Sequence, residues 1–370
     1  MIKNLYDYHL PDNLLAKKPA SPRDTSKLFV YDTQKDKVYF DKFLNLDKYL
    51  PEKSFLVLNK SRVIPARVKL YKKTGGKVKV LFLVNELINE KNLVKAIVDR
   101  KINIGEKLFF DKKNFFEVVS QEKNIFYFKY NFTKEKLFLL LNRYGEMPIP
   151  LYLKNSPLKK QDLFKKYQTI FAEELEDKKI GSVAAPTASL HFTSRVFKKL
   201  EQKQINKYYV KLYVGMGTFA PITDENIKEG KLHEEYYEVD KNVWEKIIKD
   251  KKDEKKLVAV GTTVVRTLES VARCHVSRQP TPTDVGPSVI DSKQASSLIK
   301  KTGLFIFPPF NFQMVDILIT NFHLPNSSLM MLVEAFLQYK GAKKHLIDLY
   351  NIAIKNNFRF YSFGDSMVIR

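Results

Sequence analysis

The sequence predicts an α/β main domain, a layered α/β sheet, with an inserted small all-β barrel domain. Three observations predict it. The chain has 370 residues, too many for one comfortable domain of roughly 150. Its texture changes twice, with no internal repeat or low-complexity linker. Small and polar residues gather where apolar runs give way to helix-period segments, as they do in open α/β sheets.

Taken in order, residues 27–40 read as two short strands around the polar turn Thr33-Gln34-Lys35-Asp36, and Phe55-Leu56-Val57-Leu58 as a third. From about Val68 to Phe132 come short β-rich segments, 78–82, 93–98, 108–110 and 125–128, separated by turns such as Thr74-Gly75-Gly76 and Asn103-Ile104-Gly105. The expected division is therefore a discontinuous α/β catalytic domain, 1–67 and 151–370, interrupted by a barrel at 68–150. Beyond Tyr167, four junctions stand out. Residues 182–193 lead into a helix with Ser194 as N-cap and Val196, Phe197 and Leu200 on one face. A strand at 210–214 opens into Gly215-Met216-Gly217-Thr218. Another, 257–260, stops at Gly261-Thr262-Thr263 before a stripe of Val265, Leu268 and Val271. A third, 315–319, runs into Thr320-Asn321-Phe322-His323 ahead of a helix with Leu329, Leu332, Val333 and Phe336 on one side. One shared ligand site at these junctions is the economical inference.

Composition excludes several classes. With 44% hydrophobic and 28% charged residues the chain is neither disordered nor fibrous. The most apolar stretch, 304–322, contains Pro308, Pro309 and Asp316, so no membrane span is expected. Asp7 arrives before a signal-type apolar region forms, and Cys274 is the single cysteine, so the expectation is a cytoplasmic protein without disulfide or structural zinc. The net charge of +23 attracts polyanions, nucleic acid among them; the alternative is a lysine-rich surface with no ligand in mind.

Among the junction residues, Gly261-Thr262-Thr263 at a helix start offers N–H groups and hydroxyls to an anion, and Arg266 one turn on adds a bidentate contact; the alternative is an ordinary glycine turn with a threonine cap. The Gly215–Gly217 pair lacks the third glycine and the acidic residue of a dinucleotide fingerprint, and it differs from the glycine-rich loop of Rossmann-type methyltransferases. His191 and His323 lie inside junction loops and titrate near cytosolic pH as free imidazoles, which suits general acid–base chemistry; each has the alternative role of holding its loop. No cluster has metal-ligand spacing, so no metal is expected. Arg62 and Arg67 bracket Val63-Ile64-Pro65-Ala66, and Arg23 follows Ser21-Pro22; such forks suit phosphate, or else carboxylate pairs that tie the N-terminal section down.

Together these motifs resemble the S-adenosylmethionine:tRNA ribosyltransferase-isomerases of queuosine biosynthesis. The resemblance rests on Asp7-Tyr8-His9-Leu10-Pro11, Ser21-Pro22-Arg23-Asp24, Leu58-Asn59-Lys60-Ser61-Arg62-Val63-Ile64-Pro65-Ala66-Arg67 and Tyr167-Gln168-Thr169. It continues through Val183-Ala184-Ala185-Pro186-Thr187-Ala188, Leu190-His191-Phe192-Thr193, Val214-Gly215-Met216-Gly217-Thr218-Phe219, His233-Glu234-Glu235-Tyr236-Tyr237 and Gly261-Thr262-Thr263 with Arg266. Thr320-Asn321-Phe322-His323-Leu324-Pro325 and Tyr361-Ser362-Phe363-Gly364-Asp365 complete the order. The resemblance implies an enzyme, at once a transferase and an isomerase of tRNA modification. Its partners are S-adenosylmethionine, consumed as a substrate with no separate cofactor, and a tRNA anticodon loop bearing 7-aminomethyl-7-deazaguanine; a monomer is expected. On that footing His191 and His323 are the candidate base and proton donor, Thr187 or Asn321 orients the ribose, and Gly261, Thr262, Thr263 and Arg266 take the methionine carboxylate. Gly215, Gly217 and Thr218 approach the nucleoside, and Arg62 and Arg67 contact phosphate. Tyr213 stands where the family usually has histidine, Ser189 and Pro309 replace glycines, and 274–301 looks unlike the family. A noncatalytic tRNA-binding homologue is the alternative, and a methyltransferase the third reading.

Overall fold

The computed structural model describes residues 6–87, 92–153, 156–173, 180–215, 222–276 and 297–370. In chain order, β1 (Lys27–Asp32), β2 (Lys37–Lys42) and β3 (Ser54–Asn59) precede the barrel strands β4 (Arg67–Lys72), β5 (Lys77–Phe82), β6 (Leu93–Val98), β7 (Lys107–Phe109), β8 (Phe115–Glu122) and β9 (Ile125–Tyr130). Helices α1 (Lys134–Tyr144), α2 (Lys160–Lys166) and α3 (Ser194–Gln202) lead to β10 (Asn206–Leu212), α4 (Asp224–Glu229), β11 (Lys231–Asp240), α5 (Lys241–Lys252), β12 (Lys256–Val260) and α6 (Thr262–Val276). The chain continues with β13 (Ser297–Leu304), β14 (Ile317–Asn321), α7 (Ser328–Tyr339), α8 (Leu346–Lys355) and β15 (Ser366–Ile369).

The strands form one nine-stranded sheet, β13-β11-β10-β3-β12-β14-β15-β1-β2, and one closed barrel, β4-β5-β6-β9-β8-β7. The expected α/β sheet with a small barrel is thus present. At the sheet's centre β10, β3, β12 and β14 run parallel, neighbour to neighbour. Helices cover both faces there, so β3 and β14 are buried at every position and read as continuous apolar runs. One face packs Phe55, Val57, Leu257, Ala259 and Leu318 under α6 and α7. The opposite face packs Leu56, Leu58, Val258, Val260 and Ile319 under α3. Barrel strands instead alternate buried and outward residues, because only one face is covered. Their inward set, Leu70, Val80, Phe82, Phe116 and Phe128 among them, is a separate core.

Two sequence expectations shift. The N-cap of α3 is Thr193, whose hydroxyl accepts from the Val196 amide, and Ser194 is the first helical residue. The strand placed at 315–319 is β14, two residues later, so Asn321 ends the strand rather than opening a loop. Of the atypical 274–301 segment, 277–296 lie outside the described residues, and from Ser297 it forms β13, paired antiparallel with β11.

The barrel is stitched to the sheet at a short neck. Arg67 and Glu146 exchange backbone bonds of 3.2 and 2.7 Å. The Gln168 side chain grips Val63 at both main-chain groups, donating to its carbonyl (2.7 Å) and accepting from its amide (3.1 Å). Ser182 bonds the carbonyl of Arg62 and the amide of Ile64 on either side, so Gln168 completes the pairing at Val63, where a buried backbone group left unpaired costs free energy.

Candidate active site at the ends of the parallel strands

Because the central strands are parallel, their carboxyl ends gather Asn59, Gly215, Gly261 and Asn321 along one rim of the sheet, where α/β sheets bind ligands. Gly261 has φ +92°, a conformation that side chains rarely adopt, and its N–H bonds the Ile319 carbonyl at 2.7 Å. This turn starts α6 and lies against Ala188 of the 187–191 turn, 3.6 Å from where a Cβ would stand. The buried Thr263 hydroxyl beside it makes no hydrogen bond among the described residues.

On the α3 face the candidates Thr187, Asn321 and His191 form one hydrogen-bonded chain. Thr187 Oγ1 donates to Asn321 Oδ1 at 2.9 Å. The Asn321 amide nitrogen contacts the Asp365 carbonyl (3.4 Å), which can only accept, and His191 Nε2 (3.2 Å). His191 Nε2 therefore accepts, and Nδ1 keeps its proton and donates to Ser26 Oγ at 2.8 Å. Phe43 covers the ring, with centroids 5.1 Å apart. Burial pushes the imidazole down to about 3, assisted by the positive charges of Arg359 and Arg23, so it is neutral at cytosolic pH. Thr187 is the half-exposed end of the chain; the other members are buried.

His323 is not part of this chain. Thr320 precedes Asn321 by one residue and so points to the opposite face of β14. Thr320 Oγ1 meets His323 Nε2 at 2.8 Å. The His323 amide donates to the Tyr350 hydroxyl at 2.8 Å, and Tyr8 donates to its carbonyl. Burial alone pushes this imidazole down to about 3 as well. The two histidines are thus both neutral but belong to separate networks.

On that opposite side Arg266 pairs with Glu235, and its Nε and Nη2 reach the carbonyls of Leu304 (3.1 Å) and Thr302 (3.4 Å). The other Glu235 oxygen accepts the Gly215 amide at 2.7 Å. Arg266 and Gly215, proposed separately from the sequence, are joined through Glu235, and the guanidinium fork is already filled. A Cβ on Gly215 would stand 2.7 Å from the Asn85 amide of the barrel, so any larger residue here makes the Asn85 side chain move. The pair lines a cleft with His233, Ile306, Ser328 and Leu329. Gly217 and Thr218 lie outside the described residues.

The remaining arginines divide. Arg67 is half-buried at the neck, 3.5 Å from the Ile149 carbonyl and close to Glu146, and burial lowers its pKa. Arg62 is also half-buried, and its guanidinium has no partner among the described residues. Arg23 holds the carbonyls of Gln168 (2.6 Å) and Lys165 (3.0 Å), so it ties the N-terminal section down by carbonyls, not by a carboxylate. Its neighbour Asp24 is fully buried and takes a fork from Arg195 at 3.0 and 2.5 Å. Tyr213 donates to Glu238 at 2.8 Å. Sequence reasoning assigns no role to Ser26 or Glu235; both lie inside or just beyond matched motifs, but only the fold aims Ser26 at His191 from 165 residues away.

A mixed sheet with an inserted barrel, and with hydrogen-bonded polar side chains gathered at its strand ends, defines an α/β protein whose candidate site lies at the carboxyl ends of the parallel strands. A model of the family described as queuosine biosynthesis protein matches residues 3–369, and the chain belongs to that family. It is 41% identical over 367 residues to the S-adenosylmethionine:tRNA ribosyltransferase-isomerase of Thermosipho melanesiensis, covering 98% of each chain. Identity to the protein of the same name from Carboxydothermus hydrogenoformans is 40% over 368 residues, again 98% of each. The crystal structure of S-adenosylmethionine tRNA ribosyltransferase from Thermotoga maritima aligns over 99% of both chains, with 30% identity and a TM-score of 0.52.

Proposed function

We propose that the chain is an S-adenosylmethionine:tRNA ribosyltransferase-isomerase. It transfers the ribosyl portion of S-adenosylmethionine to 7-aminomethyl-7-deazaguanine at the wobble position of tRNA and isomerises it, giving epoxyqueuosine-tRNA, adenine and methionine. Membership of the family over nearly the whole chain carries the reading. S-adenosylmethionine is consumed, so no separate cofactor is required, and the protein acts as a cytoplasmic monomer. In the described residues no helix is long and apolar enough to cross a membrane.

The chemistry needs a base and a proton donor. The sulfonium acidifies the C5′ protons; a base removes one to give an ylide, elimination expels adenine, the substrate amine adds, and epoxide closure displaces methionine. His191 is the first candidate, because among the described residues its Nε2 lone pair is held by the Asn321 amide alone. When a ribose hydroxyl takes that amide, with Thr187 as the outer contact, Nε2 is freed to accept a proton. His323 is the second candidate, on the other side of β14. The Gly261-Thr262-Thr263 turn, with the unpartnered Thr263 hydroxyl, takes the methionine carboxylate, and Arg266 acts by fixing Glu235 and so Gly215. Arg62 contacts phosphate, with Arg67 beside it at the neck. The same reading treats 1–67 and 151–370 as the catalytic unit and 68–150 as the insert.

The test is incubation with S-adenosylmethionine and tRNA carrying the aminomethyl base, followed by mass spectrometry. Epoxyqueuosine with free adenine and methionine is expected. S-adenosylhomocysteine would point to methyl transfer, and tight tRNA binding without product to the noncatalytic homologue.

A further inference from the structure

The barrel carries a surface that the site above does not use. Between residues 67 and 150 there are 18 Lys and Arg against nine Asp and Glu, a net charge of +9 on less than a quarter of the chain. On its outer wall Tyr71 of β4 stands directly opposite Lys77 of β5 on one side and Phe109 of β7 on the other, and Phe109 stands opposite Phe115 of β8. Residues directly opposite share a face, so these four form one row across the strands. Tyr71 is 41% exposed, and Phe109 and Phe115 are half-buried with ring centroids 5.6 Å apart. Lys107 places its ammonium 4.7 Å over the Phe115 ring and 3.8 Å from Glu117, and Lys69, exposed two residues before Tyr71 on the same face, lies 3.8 Å from Glu146, whereas exposed Lys77 has no carboxylate partner among the described residues.

Aromatic rings in a line with ammonium groups alongside are what an unpaired nucleic acid strand needs: faces for its bases and cations for its phosphates. The barrel's excess of positive charge favours a polyanion, and the exposed Tyr71 ring favours one with flat bases. We infer that this row is a docking surface for single-stranded RNA, in the present case the loop or flanking strand of the tRNA substrate, so the inference rests on the function proposed above. Along β4 the row lies about 13 Å from the neck at Arg67.

The experiment uses the full chain and a fluorescein-labelled anticodon stem-loop RNA, titrated at several salt concentrations. Tyr71→Ala should weaken binding by roughly tenfold, while Tyr71→Phe, which keeps the ring, should bind as the parent does. Lys77→Glu with Lys69→Glu should lower the slope of log affinity against log salt by about 0.7 for each phosphate that is no longer neutralised. Thermal midpoints check that the variants fold; all three positions face outward. Parent protein that makes epoxyqueuosine while the variants match it in RNA affinity and salt slope overturns this surface alone. Parent protein that binds no RNA overturns both this surface and the tRNA function.

Discussion

The two sides of the sheet's rim handle polar groups in opposite ways. On the α3 side, Thr187, Asn321, His191 and Ser26 form a chain of neutral donors and acceptors, each a single proton or rotation away from another arrangement. On the α6 side, Glu235 and Arg266 form a buried ion pair with further bonds to the Gly215 amide and two carbonyls. The neutral chain can be rearranged by rotation of its hydroxyl and amide groups, whereas a buried ion pair resists any change in either partner. On the proposed function the first side does the chemistry, and the second holds a loop in place.

Substitutions sharpen that contrast. His191→Gln should lower adenine release by about 10²- to 10⁴-fold, the usual range for a lost acid–base group. Full turnover in both this variant and His323→Gln would remove the histidines from the mechanism. Next in size, Arg266→Met takes the cation away from the buried Glu235 carboxylate and should cost about 3–5 kcal/mol in chemical denaturation. A loss no larger than that of an exposed arginine would break the contrast from the other side.

Acid should act through the histidines. Below pH 6.5 an unfolded imidazole takes a proton that buried His191 and His323 refuse until about pH 3. The unfolded state then binds more protons, so stability falls as the pH drops through that window, by up to about 1.4 kcal/mol per pH unit for each histidine. His323→Gln should flatten the slope of stability between pH 6 and 4; an unchanged slope would show that His323 keeps its proton in the fold. The smallest effect lies away from both networks. Thr193→Ala removes the α3 N-cap and the hydroxyl bonded to Asp24, and should cost about 1 kcal/mol in the thermal midpoint with no change in turnover.

Much of this is legible in the sequence. The double-sided burial of β3 and β14 writes itself as unbroken apolar runs, and the glycine turn at 261 announces the start of α6. Matched motifs locate Thr187, Asn321 and His191 individually. The bond pattern is not legible, because periodicity cannot say that Asn321 and Thr320 face opposite sides when the strand's end is misplaced by two residues. Arg266 looks like a free fork for the same reason: its partner Glu235 is 31 residues away in sequence and meets it only through β11 and β13. β4 escapes detection because its alternating charged residues hide a short apolar set, and β8 because its second half, Val119 to Glu122, is exposed and mostly polar.

The position of β15 has a consequence for assembly. This strand follows every other described element in the chain, yet it lies inside the sheet, parallel to β1 and antiparallel to β14. The hairpin of β1 and β2, made first, joins the other described strands of the sheet only through it. During synthesis the barrel, whose strands are near neighbours in sequence, can close while the ribosome is still working on the body. The main sheet stays in two pieces until residues 366–369 emerge, so a nascent chain stopped before them carries an open β14 edge and a loose N-terminal hairpin.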